Sequence, residues 1–228
     1  MPALLLVWSG ISLASGWPGP RAAAAEVKGQ VVLGPLGGRA PVKPPRPAFN
    51  WELENGVKEV LPSRVVAQRE LAVVLIGPGT GKADQVEVAF SGGELSPSTI
   101  VLRSGTTLRI RNDDEIGHEL LAEGLDGFSA EATSPGATRS VNLKKTGNWP
   151  LRDRLAAHAS AHLHVLPDLV ASAKLEANGA FVFGDVAPGK YTLKVFRGAS
   201  AVLTKELEVG DKPLTLDPLL PSDAKPSP

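Results

Sequence analysis

The 228-residue chain contains no cysteine. That absence excludes disulfides, thiolate metal ligands, cysteine nucleophiles and a lipid-modified N-terminal cysteine together. Aromatic residues are scarce, with one tyrosine and four tryptophans. Trp8 and Trp17 fall in the first 25 residues, so only Trp51 and Trp149 remain to stack on a sugar ring. Neither sign of charge is in excess, with 24 Lys and Arg against 24 Asp and Glu, and no basic surface for nucleic acid follows. The apolar run near the start is interrupted by Ser9-Gly10 and Gly16, too short for the roughly 20 residues that span a bilayer. No nucleophile elbow, recognisably spaced carboxylate pair or cofactor fingerprint occurs, so no enzymatic activity is expected.

What the chain does have is 24 glycines and 20 prolines in a composition that is 43% hydrophobic, without helical heptads. This is the composition of a globular all-β protein rich in turns. Residues 1–25 close on Arg21-Ala22-Ala23-Ala24-Ala25, which fits a small-residue cleavage site after an apolar run. They read as a secretory signal peptide, although no Lys or Arg precedes the apolar run, and imply a periplasmic or secreted protein. Residues 26–69 begin with a short strand, EVKGQVVL, and continue through a proline-rich stretch, 41–47, that neither sheet nor helix accommodates. Ala72–Ile76 is a continuous apolar run of the kind found in buried strands, and Val86, Val88 and Phe90 alternate. Between them, Gly77-Pro78-Gly79-Thr80-Gly81-Lys82 misses the phosphate-loop spacing, because Ile76 stands where the first glycine belongs and Ala83 follows Lys82. A glycine-rich hairpin turn is expected there.

The centre of the chain is Glu94–Leu121. Ile100 and Leu102 alternate with other residues, Ser104-Gly105 reverses direction, and Leu108 and Ile110 alternate again. Asn112-Asp113-Asp114 then stops the strand, since such side chains hydrogen-bond to their own backbone. His118, one of four histidines, follows. A histidine just beyond a strand-ending Asn-Asp turn resembles the first copper-ligand position of cupredoxin-like, plastocyanin-type domains. The stretch Gly147–Asp153 resembles that family's entry into its second ligand loop, and Ala161–Val165 the strand leaving it. The resemblance implies a Greek-key β-sandwich over residues 70–166. It also puts Asp153, Ala156 and Ala159 where the family has Cys, His and Met, so the type 1 copper set is degenerate and no cofactor is expected.

The other histidines leave a second possibility open. His158 and His162 are four apart if that segment is helical, whereas His162 and His164 share a face if it is a strand, and either pair suits zinc or copper(II). The strand fits a sandwich better, with Ala161, Leu163 and Val165 inward and both histidines toward solvent. His118, His162 and His164 are therefore the candidate metal ligands, with His158 as an accessory.

Further on, Asn178-Gly179, Phe181, Phe183, Pro188-Gly189, Tyr191 and Leu193 form a run similar to that of carboxypeptidase regulatory-like, transthyretin-type modules. A second, small β-sandwich over residues 167–210 is implied, followed by a disordered tail over 211–228. The combined expectation is an exported, non-catalytic, all-β protein that binds a protein or a glycan in the cell envelope. The competing expectation is a periplasmic metal-binding or electron-transfer protein that uses His118 with His158, His162 and His164.

Overall fold

The computed structural model describes residues 24–34, 65–79 and 85–221. In chain order its strands are β1 (Ala25–Gln30), β2 (Leu71–Ile76), β3 (Gln85–Ser91), β4 (Glu94–Ser96), β5 (Thr99–Arg103), β6 (Thr106–Asn112), β7 (Leu120–Leu121) and β8 (Thr138–Leu143). Then come β9 (Gly147–Asp153), β10 (Ser160–Leu166), β11 (Leu169–Ala173), β12 (Ala180–Val186), β13 (Gly189–Arg197), β14 (Ser200–Val209) and β15 (Leu214–Thr215). Among the described residues the only helix is the single turn α1 (Ala67–Glu70). The protein is all-β, as its composition implied.

Strands β3 to β10 build one sandwich from two sheets, ordered β5-β10-β9-β7 and β4-β3-β6-β8. Alternation supplies its core: Leu108 and Ile110 of β6 are fully buried, as are Ile100 and Leu102 of β5 and Leu163 of β10. β10 runs parallel to β5, and β3 runs parallel to β6. Parallel neighbours cannot be joined by a tight hairpin, so the chain crosses between the sheets. Ser104-Gly105 makes one such crossing, from β5 to β6, with Gly105 at φ 89°.

The remaining strands form a second sandwich, with sheets ordered β12-β1-β15 and β11-β2-β13-β14. Phe181 and Phe183 of β12 and Tyr191, Leu193 and Val195 of β13 point into its core, as their alternation predicts. Asn178-Gly179 makes the expected turn, with Gly179 at φ 85° and its N–H donating to Glu176 O.

The pairing corrects three expectations about which segment belongs where. β2, expected within the 70–166 sandwich, pairs instead with β13 and β11 of the second one. β1 pairs with β12, so the N-terminal strand also completes the second sandwich. The first sandwich is thus inserted between β2 and β11, and the Gly77 N–H donates to Asp168 O at 3.1 Å where the chain leaves and returns. For the same reason the glycine-rich stretch after Ile76 is no hairpin, because β2 and β3 lie in different sandwiches. Of that stretch, residues 80–84 lie outside the described ones.

The third correction concerns the C-terminal stretch, where residues 211–221 pack on the second sandwich instead of forming a disordered tail. β15 adds to the free edge of β1 in parallel, Leu216 N donates to Lys28 O, and Leu219, 3% exposed, bridges to Val31. Leu214, Leu216 and Leu219 cover apolar surface of the second core, while Pro218 between them is tolerated on an edge. Residues 222–228, residues 1–23 of the expected signal peptide 1–25, and the proline-rich stretch with Trp51 lie outside the described residues. Ala25, at the expected cleavage point, is buried and pairs with Val186.

β2 is buried on both faces, which is what its unbroken apolar run encodes. Leu71, Val73 and Leu75 enter the second core, whereas Val74 and Ile76 meet Val101, Leu169 and Phe196 in a separate cluster between the sandwiches. Burying side chains of this kind stabilises by roughly 1.5–3 kcal/mol each. Polar ties accompany the apolar ones: Thr99 Oγ1 donates to Glu70 O at 2.6 Å and accepts from Gly198 N at 2.8 Å.

Candidate functional site

His118 sits on the loop after β6, where Asn112 builds the turn. The Asn112 side chain is fully buried; its Oδ1 accepts from Asp114 N at 2.9 Å, and its Nδ2 donates to Ile116 O and Thr133 O. This is the side-chain-to-backbone turn the Asn-Asp-Asp run predicts. Reciprocal backbone bonds between His118 and Thr133 then fix the loop. The His118 ring is fully buried and stacks on Phe90, with centroids 3.9 Å apart and planes within 2°.

Both ring nitrogens face a carboxylate. Nδ1 lies 2.5 Å from Asp153 Oδ2, and Nε2 lies 3.1 Å from Asp114 Oδ2. Each aspartate is anchored in turn. Asp153 Oδ1 accepts from the backbone N–H of Glu119, Leu155 and Ala156, at 3.1, 2.8 and 3.3 Å. The two oxygens of Asp114 accept from Gly92 N and Gly93 N at 2.6 and 2.9 Å. Burial raises both carboxyl groups, but for Asp153 the bonds from Leu155, His118, Glu119 and Ala156 outweigh it and hold the group below the ordinary range. For Asp114 the bonds from Gly93, Gly92 and His118 do the same.

Ionised carboxylates only accept hydrogen bonds. With both aspartates ionised, each ring nitrogen of His118 faces an oxygen that only accepts. A ring nitrogen held against a carboxylate in this way is not open to a metal. The two alanines of the expected ligand set, Ala156 and Ala159, are 6% and 1% exposed and belong to the first core.

His162 and His164 lie elsewhere, on β10, with ring centroids 5.0 Å apart. As the strand alternative required, they share the face opposite Ala161, Leu163 and Val165. That face is not open to solvent as expected, however, because the second sandwich buries His164 and half-covers His162. His164 is 3% exposed, packs on Phe196 at 4.3 Å, and donates from Nε2 to Gly198 O at 2.7 Å. Burial pushes its imidazole down. His162 is half-buried with its Nε2 fully enclosed and unpartnered; burial first, then the neighbouring His164 charge, pushes it down to about 4. His158 is exposed and not helical, so the i, i+4 pairing with His162 does not form. Among the described residues no three His, Asp or Glu side chains are disposed to hold one metal ion.

Two participants were not singled out from the sequence. Asp114 reads as a plain turn residue, and Phe90 as a plain core residue. Asp153 stood at a ligand position, but its bond to His118 across 35 residues has no local signal. Trp149, a candidate sugar platform, is half-buried against the first core.

No family model matches the chain, and no curated protein matches it. Among solved structures, an amicyanin variant in its copper(I) form is 12% identical with a TM-score of 0.31, covering 36% of this chain and 81% of that one. A purple cupredoxin from Nitrosopumilus maritimus is 16% identical with a TM-score of 0.31, over 35% of this chain and 97% of that one. A copper-containing nitrite reductase from Thermus scotoductus is 18% identical with a TM-score of 0.34, over 37% of this chain and 23% of that one.

Proposed function

We propose that this protein is an exported, non-catalytic binding module, whose first sandwich is a cupredoxin-like scaffold closed by hydrogen bonds instead of a copper ion. The observation that carries the reading is the engagement of both His118 nitrogens by Asp153 and Asp114. Type 1 copper requires a thiolate and two neutral imidazoles. The residues present do not fit that group: one histidine is engaged by a carboxylate on both sides, and the remaining positions hold a backbone-anchored aspartate and two core alanines. The second sandwich, a transthyretin-like module in this reading, braces the first through β2 and the covered histidine pair.

The loops joined by the His118–Asp153 bond each present an exposed apolar side chain, Ile116 at 58% and Leu155 at 60%. These are the contacts a protein partner in the cell envelope would use. Calorimetric titration of the protein and of His118→Ala with copper(I), copper(II) and zinc tests the metal-free reading. The expected result is no binding that depends on His118. Submicromolar one-to-one binding lost in His118→Ala would replace this reading with a metal-handling one.

A further inference from the structure

A second recognition feature lies at the junction of the two sandwiches, apart from His118. There, a cleft of about 370 Å³ is lined by Arg69 and Glu70 of α1, Arg152 of β9, His162 of β10, and Arg197 and Gly198 at the end of β13. Its volume is at the lower end for small-molecule sites, the size of a single sugar ring. Three guanidinium groups face one carboxylate, so the lining carries a positive excess.

Two of the arginines are already positioned by acids. Arg197 bonds Glu70 at 2.9 Å, and Arg69 pairs through Nη1 with Glu94. Pairing of this kind fixes the guanidinium planes in advance. Hydrogen-bonding capacity nevertheless remains. Arg69 Nε and His162 Nε2 are both buried without a partner, and buried polar atoms in that condition are rare. Arg152 is exposed on β9. Two of the lining hydroxyls are already engaged: Ser98 Oγ donates to Arg69 O, and Thr99 Oγ1 is held by Glu70 and Gly198.

We infer that this junction cleft binds a small organic carboxylate of monosaccharide size, held by the exposed Arg152 guanidinium against a wall that Arg69 and Arg197 make positive. Guanidinium donors match the planar, two-oxygen geometry of a carboxylate. A single negative charge suits the cleft better than a double one, because Glu70 also lines it and Arg69 and Arg197 already face acids. Because the cleft is built by both sandwiches, a ligand there strengthens their contact. This inference is independent of whether His118 binds metal.

The test is nuclear magnetic resonance titration of the full chain with D-glucuronate, D-glucose and inorganic phosphate at constant ionic strength, following the amides of Thr99, Arg152 and Gly198. Saturable shifts with glucuronate alone are expected, weakened about tenfold in Arg152→Gln, which removes one charge-assisted donor from an exposed position. Lys205→Gln, on β14 away from the cleft, leaves the affinity unchanged. Equal response to glucose, no saturable response, or glucuronate binding indifferent to Arg152→Gln would each overturn the site. Tighter binding of phosphate than of glucuronate would overturn the assignment to a carboxylate.

Discussion

Replacing Asp153 with alanine removes more than a side chain, because one carboxylate holds two loops. Its Oδ2 faces His118 Nδ1 at 2.5 Å, and both side chains are 0% exposed. Its Oδ1 accepts from Glu119, Leu155 and Ala156, so three backbone donors lose an acceptor as well. Removing one member of a buried pair leaves the other uncompensated and costs about 3–5 kcal/mol. Each abandoned N–H adds to this only where water cannot reach it. That loss is a large part of a typical domain stability of roughly 5–15 kcal/mol. Urea unfolding at neutral pH reads it as a lowered midpoint. In the double variant Asp153→Leu with His118→Leu, neither polar group is stranded, so its cost falls short of the sum of the two single costs by about 2 kcal/mol or more. A loss below about 1 kcal/mol in Asp153→Ala, or additive single effects, would refute the reasoning.

Gly179→Ala loses stability by about 2 kcal/mol or more on thermal unfolding: the residue has φ 85°, and a Cβ there would lie 2.2 Å from Val31 O, so β1 must shift. Acidification destabilises through His162, whose folded value of about 4 is below the unfolded 6.5, so the unfolded chain binds more protons between these values. Stability is therefore full above pH 6.5 and falls as the pH drops toward about 4, with partial solvent access limiting the loss to ~2 kcal/mol. His162→Gln flattens that slope in urea midpoints measured at several pH values, with the lowered His164 leaving a residue of the same sign. Truncation after Gly210 removes β15 and the buried Leu219, uncovers the edge of β1, and lowers the melting temperature of the second sandwich.

Strand identity was legible wherever a local period existed. Leu108 and Ile110, Phe181 and Phe183, and Tyr191, Leu193 and Val195 all face the cores that their alternation predicts. The turn chemistry of Asn112 and of Asn178-Gly179 was legible for the same reason. Partner choice was not. β2 and β13 pair across more than a hundred residues of sequence, and nothing in Ala72–Ile76 names its neighbour. Its two-sided burial did carry a clue, because a strand buried on both faces needs something on its second face, here the inserted sandwich. The histidines of β10 show the same limit: alternation gave their face correctly, but not what covers it. The C-terminal leucines were obscured by prolines and charges that read as a tail, although three leucines suffice to finish an edge.

The central claim is that both ring nitrogens of His118 are engaged by aspartates and neither has a lone pair open to a metal. Nitrogen-15 resonance spectra of the imidazole test it directly, recorded before and after one equivalent of zinc and, separately, of copper(I). The account predicts ring-nitrogen signals that stay unchanged by either metal. A ring nitrogen whose signal moves in full on addition of one equivalent would contradict it.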